Sequence, residues 1–172
     1  TDLKFINAYS SVSHCGLVLF ALLMMTRVSC TGAILQMLSH GLMTALFFAL
    51  IGMIYGRTHT RDIRELGGLM KIMPFLSVGY VIAGLANLGL PGFSGFIAEM
   101  TIFNGSFENA DTFHRCCTII AITSIVVTAV YILRTVGFIL FEKVKNPHFE
   151  ELTDATWDER FAVCCLIFCV AG

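Results

Sequence analysis

Residues 31–55 run for 25 positions without one Asp, Glu, Lys or Arg. A helix needs about 20 predominantly apolar residues to cross the roughly 30 Å of hydrocarbon in a bilayer, so this stretch is long enough to span one. Four further apolar stretches accompany it, at 5–26, 73–107, 115–141 and from 161 onward. Backbone groups in lipid must be satisfied within the segment, which leaves helices as the economical solution for such runs. The sequence therefore predicts an all-α membrane protein, a polytopic transmembrane helix bundle of about five spans. Short polar links join the runs, so residues 1–172 are read as a single membrane unit with no separate globular domain. Composition agrees, because only 13% of residues are charged against about 25% in a soluble domain. A net charge of -1 gives no reason to expect a nucleic-acid partner; membrane lipids are the expected surroundings. The opening Thr-Asp-Leu-Lys runs straight into an apolar helix without the form of a cleavable leader. With an apolar run still in progress at Gly172, it suggests a fragment or split subunit.

The stretch 73–107 does not fit one straight helix. Its 35 residues would extend about 52 Å at 1.5 Å per residue, yet two complete spans would need about 40 residues. Leu90-Pro91-Gly92-Phe93-Ser94-Gly95 lies at its middle, and Pro91 removes a backbone donor and clashes with the preceding turn. The expected solution is one discontinuous helix, two halves joined by an unwound link, as occurs where ions bind in transporters. Asn87 is expected to hydrogen-bond that link. Charge distribution tests the count of spans, since Lys and Arg in short loops favour the cytoplasmic or matrix side. With one broken span, Lys4, Arg57, Arg61, Arg64, Lys71, Lys143, Lys145 and Arg160 share a face, and only Arg27 and Arg115 fall opposite.

Few polar residues interrupt the spans. Glu99 follows the break in Gly95-Phe96-Ile97-Ala98-Glu99-Met100, at a depth where carboxylates are expensive and mark ion or proton pathways. His14 lies one helical turn from Ser10, and His40 one turn from Gln36, so the first two spans each carry a polar seam. Imidazole accepts on one nitrogen and donates from the other, which suits it to proton relay. Lys4 reads as an interfacial anchor snorkelling to headgroups. Arg134 lies deeper, seven residues before position 141, where snorkelling and a buried role are both open. The loop 57–68 mixes both charge signs; it reads as a solvated connection, with docking to a neighbouring subunit through Arg61 and Asp62 as the alternative. Seven cysteines, among them the Cys116-Cys117 and Cys164-Cys165 pairs, lack metal-site spacing and read as small packing residues. No phosphate loop, dinucleotide glycine motif or iron–sulfur cysteine set is present in the sequence, so redox chemistry is expected in partners.

Several motifs occur together and in order. They are Ala8-Tyr9-Ser10-Ser11-Val12-Ser13-His14, Leu38-Ser39-His40-Gly41-Leu42, His59-Thr60-Arg61-Asp62 with Gly67-Gly68-Leu69, and Leu90-Pro91-Gly92-Phe93-Ser94-Gly95-Phe96-Ile97-Ala98-Glu99. The set resembles the antiporter-like chain 4 family of respiratory complex I, NADH:ubiquinone oxidoreductase. It matches the last part of that larger subunit, helices ten to fourteen, of which helix twelve is broken. The resemblance implies that Glu99 is the terminal proton-exchanging residue, that His40 is the relay leading to it, and that His14 is another histidine of the polar axis. Beside these, Pro91, Lys4, Arg134, Arg61 and Asp62 are read from the residues themselves as supporting.

The same resemblance implies that the family's amino-terminal half-channel and central lysine belong to an amino-terminal remainder of the subunit. Chains 2 and 5 of complex I are the further implied partners. NADH, FMN, iron–sulfur clusters and ubiquinone would sit in partner subunits, with no cofactor in this chain. The implied function is proton translocation driven by quinone reduction, within a translocase, in the mitochondrial inner membrane or a bacterial plasma membrane. Cys15, where relatives often have Met, and the cysteine-rich tail depart from the pattern. A cation/proton antiporter or membrane-bound hydrogenase subunit of the same ancestry, and a purely structural remnant, are the alternatives. Glu in place of the Lys that many sister subunits carry favours chain 4.

Overall fold

The computed structural model describes residues 2–144, 149 and 152–171, and among these it forms helices with no β-strand. Helix α1 spans Leu3–Leu23 and starts where the Asp2 carboxylate accepts from the Lys4 amide, a side-chain cap on an otherwise orphaned donor. A tight turn through Met25, at φ 57°, leads into α2, Arg27–Thr58, whose cap Thr26 accepts from the Ser29 amide. Helix α2 stops at His59, which takes the left-handed conformation at φ 54°. The single turn α3, Leu69–Ile72, precedes α4, Pro74–Asn87, which opens on a proline already set for helical φ. Helix α5 is Ser94–Phe107 and α6 is Thr112–Val136, which continues through a π-helical turn over Gly137–Phe141. The last helix, α7, is Trp157–Ala171.

Helices α1, α2 and α6 with its π-turn are long and apolar enough to cross a membrane. The halves α4 and α5 have 14 residues each, about 21 Å apiece, so neither alone spans a bilayer and together they do. The link occupies residues 88–93, slightly ahead of the expected break, because Gly89 at φ 60° and Gly92 at φ 105° take left-handed conformations on either side of Pro91.

Hydrogen bonds at the two ends fix the topology. At one end the Leu3 amide donates to the Arg61 carbonyl at 3.0 Å. Nearby, the Arg57 guanidinium pairs with Glu159 through two nitrogens and donates to the Thr153 carbonyl. The Asp154 carboxylate caps α4 by accepting from the Phe75 amide at 2.9 Å. At the other end the Thr26 hydroxyl donates to the Gly105 carbonyl at 2.9 Å and Asn109 donates to the Met24 carbonyl at 3.0 Å. The start of α4 and the end of α5 therefore lie at opposite ends, and the pair makes one broken crossing, as length and charge required. Lys4, Arg57, Arg61, Arg64, Lys71, Lys143 and Arg160 belong to the first end, the basic face; Lys145 lies outside the described residues.

Close helix approach depends on two glycines. A Cβ on Gly105 would collide with the backbone of Ser29, and one on Gly32 would lie 2.7 Å from the Ile102 amide nitrogen. Small residues at such crossings replace the hydrophobic driving force that lipid cannot supply. The larger apolar core gathers Leu46, Leu50 and Ile54 of α2, Leu76 and Ala83 of α4, Ile132 and Ile139 of the α6 segment and Val163 of α7. The cysteines, expected as packing residues, are all free thiols, and Cys15, Cys116, Cys164, Cys165 and Cys169 are exposed on the outer helix faces.

Two outcomes follow from this packing. Gly105→Leu is expected to destabilise the bundle by about 1–3 kcal/mol through overpacking, whereas Gly52→Ala, with open space around it, is expected to be neutral or slightly stabilising; thermal melting of the detergent-solubilised protein separates the two. The hydrogen bonds from Arg57 hold the Glu159 carboxyl below its usual range. Because that folded value is depressed, the pair's stabilisation is complete above the unfolded carboxylate value of about 4.3 and is lost as pH falls toward the depressed one. Glu159→Gln should flatten the acid side of a melting-temperature profile, and an unchanged profile would remove the pair from the stability account.

Candidate functional site

Four helices meet at the break, each contributing polar side chains at helical spacing. From α1 come Asn7, Ser10 and His14, three and four residues apart on its inward face. From α2 come Gln36, Ser39 and His40, the first two buried and the last partly so. The last residue of α4 is Asn87, and α5 begins with Ser94 and carries Glu99 one turn further on.

His14 is the hub. The Gln36 side-chain amide donates to its Nδ1 at 2.9 Å, and its Nε2 donates to Asn87 Oδ1 at 2.6 Å. An amide N–H can only donate and an amide oxygen only accept, so these bonds assign a neutral imidazole protonated on Nε2. Asn87 in turn exchanges hydrogen bonds with Ser10, its Nδ2 donating to the hydroxyl at 2.8 Å. Asn87 thus serves α1 rather than the unwound link, which corrects the sequence expectation; its side chain points across to the first helix. The link is instead tied to α2 through its far side, where Ser39 and Ser94 share a hydrogen bond of 2.9 Å.

Glu99 is 7% exposed, and its Oε1 lies 3.9 Å from His14 Nδ1. That separation is too long for a hydrogen bond, and a small side-chain rotation would close it. The carboxylate lies against the link: a Cβ on Gly89 would be 2.5 Å from Glu99 Oε2. Glycine at 89 therefore serves twice, supplying the left-handed turn and the space for the acid. A small pocket lined by Ser13, His14, Asn87, Glu99, Ser124 and Thr128, among others, adjoins the carboxylate. The His40 ring stands 5.0 Å from that of His14, its Nε2 lies 3.3 Å from the Thr44 hydroxyl, and its Nδ1 is buried without a hydrogen-bond partner among the described residues.

The structure brings Glu99, His14 and His40 together but orders them differently from the sequence expectation. His14 stands between Glu99 and His40, because α1 rather than α2 turns its histidine toward the carboxylate. Pro91 is exposed in the link, where it interrupts the helix. Arg134 is exposed, with its guanidinium 5.7 Å from the Phe138 ring, in a wide groove that Tyr9, Ser13, Ser124 and Thr128 also line. Lys4, Arg61 and Asp62 lie at the basic face. Arg61 stacks 3.9 Å over the Tyr55 ring, and the Asp62 carboxylate pairs with Arg64 at 2.7 Å, which holds it well below the usual carboxylate range. Sequence reading missed Asn7 and Gly89. Asn7 carried a signal, seven residues before His14 and so on the same face; Gly89 carried only its place two residues before Pro91. Among the described residues no three His, Cys, Asp or Glu side chains are grouped to hold a metal ion.

The family described as NADH:quinone oxidoreductase/Mrp antiporter, TM, matches residues 1–128. The chain is 38% identical over 177 residues to NAD(P)H-quinone oxidoreductase chain 4 2 of Synechococcus sp. (strain JA-3-3Ab), covering 99% of this chain and 33% of that protein. It is 38% identical over 171 residues to the chloroplastic NAD(P)H-quinone oxidoreductase chain 4 of Mesostigma viride, covering 96% of this chain and 34% of that one. Among solved structures, respiratory complex I from Thermus thermophilus with bound NADH superimposes with a TM-score of 0.87 at 25% identity, over 99% of this chain and 35% of the matched chain. The chain spans about a third of the length of the relatives it matches. With most of its length matched by the family model and a broken-helix bundle that superimposes on a complex I subunit, this integral membrane chain belongs to the NADH:quinone oxidoreductase/Mrp antiporter transmembrane family.

Proposed function

We propose that this chain is a proton-conducting membrane segment of a chain 4 subunit in an NADH:quinone oxidoreductase. The observation that carries the reading is Glu99, buried at a helix break beside His14. A carboxylic acid kept at that depth is costly unless it takes part in charge movement. The neutral His14 can accept a proton on Nδ1, the nitrogen that faces both Gln36 and Glu99. Protonation there turns Nδ1 from acceptor into donor, so the Gln36 amide must release it and the new N–H can address Glu99 instead. Transfer to Glu99 restores the neutral imidazole and the Gln36 bond. His40, ring to ring with His14, serves as the preceding polar station rather than the direct donor.

From Glu99 the route continues along α5 toward Thr101 and Asn104, in a groove at the end opposite the basic face. Basic loops favour the negative side of an energised membrane, so this direction leads to the positive side. Quinone reduction in partner subunits would drive the cycle by shifting charge along the polar axis, with NADH, FMN, iron–sulfur clusters and ubiquinone held by those partners. The rest of the subunit and the chain 2 and chain 5 type subunits are the proposed neighbours. The family description covers oxidoreductases and Mrp antiporters alike; the identity to proteins named chain 4 supports the former. The named relatives are cyanobacterial and chloroplastic, which weighs toward a bacterial-type energy-converting membrane over the mitochondrial inner membrane.

Glu99→Gln in the assembled complex is expected to cut proton pumping by about tenfold or more, with subunit assembly intact. Pumping is read as dye-reported acidification in proteoliposomes supplied with NADH and quinone. Normal pumping in that variant would leave the helices a scaffold role only. The geometry also ranks the histidines: His14→Gln should impair pumping more than His40→Gln, and the reverse order would return the donor role to His40.

A further inference from the structure

The side-chain amide nitrogen of Asn7 is buried, and it has no hydrogen-bond partner among the described residues. Asn7 is only 5% exposed, so bulk solvent does not satisfy that donor. It lines a small cavity of about 10 Å³ together with Ser10, Tyr80, Asn87 and Thr135, with the remaining wall apolar. Buried donors are nearly always satisfied, by protein or by ordered water. Cavities lined only by hydrocarbon stay dry, but one of this size with two to four polar partners is about the smallest that holds a water.

The walls offer the acceptors such a water needs. The Thr135 hydroxyl donates its proton to the Tyr131 carbonyl at 2.8 Å, which leaves its lone pairs free. The Ser10 hydroxyl is engaged with Asn87 but keeps a lone pair as well. A water there would accept from Asn7 and donate to Thr135 and Ser10, closing the open Asn7 donor. Its place along the membrane normal is fixed by α1. Asn7 lies about one turn from Leu3, whose amide is bonded to Arg61 at the basic face, and one turn before Ser10, which adjoins the His14–Asn87 pair.

We propose that Asn7, Ser10 and Thr135 bind one structural water on the basic-face side of His14. Its use as the hydration step by which protons approach His14 rests on the proton-conducting reading above; the binding site itself does not.

A high-resolution map of the assembled wild-type complex tests the site without turnover. The expected result is a single ordered solvent peak within hydrogen-bond distance of Asn7 Nδ2 and the Thr135 hydroxyl, and a dry cavity overturns the proposal. In Asn7→Leu the peak should vanish, and its persistence there overturns the assignment to Asn7. Asn7→Ser, which keeps a donor in less volume, is expected to retain solvent in the cavity and guards against a leucine variant that fails to assemble; a dry cavity in the serine variant counts against the site. A peak that is present in wild type and lost in Asn7→Leu upholds the site even where Glu99→Gln pumps normally, so a failed proton reading and a failed water site give different results.

Discussion

A helix that crosses lipid can come undone only where its freed amides and carbonyls find other partners, and that constraint organises this bundle. The link over residues 88–93 interrupts the third crossing at mid-depth, where water is scarce and unpaired backbone groups are costly. Both sides of the break are tied to neighbouring helices. Asn87, on the near side, bonds Ser10 and His14 of α1; Ser94, on the far side, bonds Ser39 of α2. The break and the polar seams on α1 and α2 therefore need one another. The link's own backbone is partly satisfied by turn bonds, Gly89 donating to the Ala86 carbonyl and Phe93 to the Leu90 carbonyl. Without the seams the Asn87 and Ser94 side chains would have no partners at depth, and without the break the seams would face an unbroken apolar helix.

Glu99 belongs to the same arrangement. Its carboxylate occupies space that exists because residue 89 has no side chain and turns left-handed. Low dielectric raises the stakes for every polar group around it, since satisfied networks rigidify and unsatisfied groups are expensive. The network here is nearly saturated around His14 and open at its edges. The Gln36 carbonyl oxygen, His40 Nδ1 and Asn7 Nδ2 have no hydrogen-bond partners among the described residues. Edges of that kind suit the proposed proton path, because a fully closed network would hold its protons in place.

Around this centre the rest of the fold supplies rigid support. Gly32 and Gly105 bring the α2 and α5 backbones close enough to set the rotation of α5, and so the direction in which Glu99 points. At the basic face, Arg57 and Asp154 tie the start of α7 to the end of α2 and the start of α4. Together these fixtures determine which residues of four separate helices reach one another.

The amino-acid sequence by itself determined that the chain is a membrane helix bundle, because run length and missing charge leave no other solvent for these segments. It also determined the single broken crossing, since 35 residues exceed one span and fall short of two, and the basic residues collect on one face only for that count. The seams of Ser10 with His14 and Gln36 with His40 were legible from helical spacing, and Glu99 from its depth. Tertiary structure alone decided that Asn87 reaches back to α1, that His14 rather than His40 stands beside Glu99, and that Gly89 makes room for the acid. Helical periodicity tells which residues share a face, but the rotation of each helix about its axis and the closeness of its neighbours come from side-chain packing between segments distant in sequence.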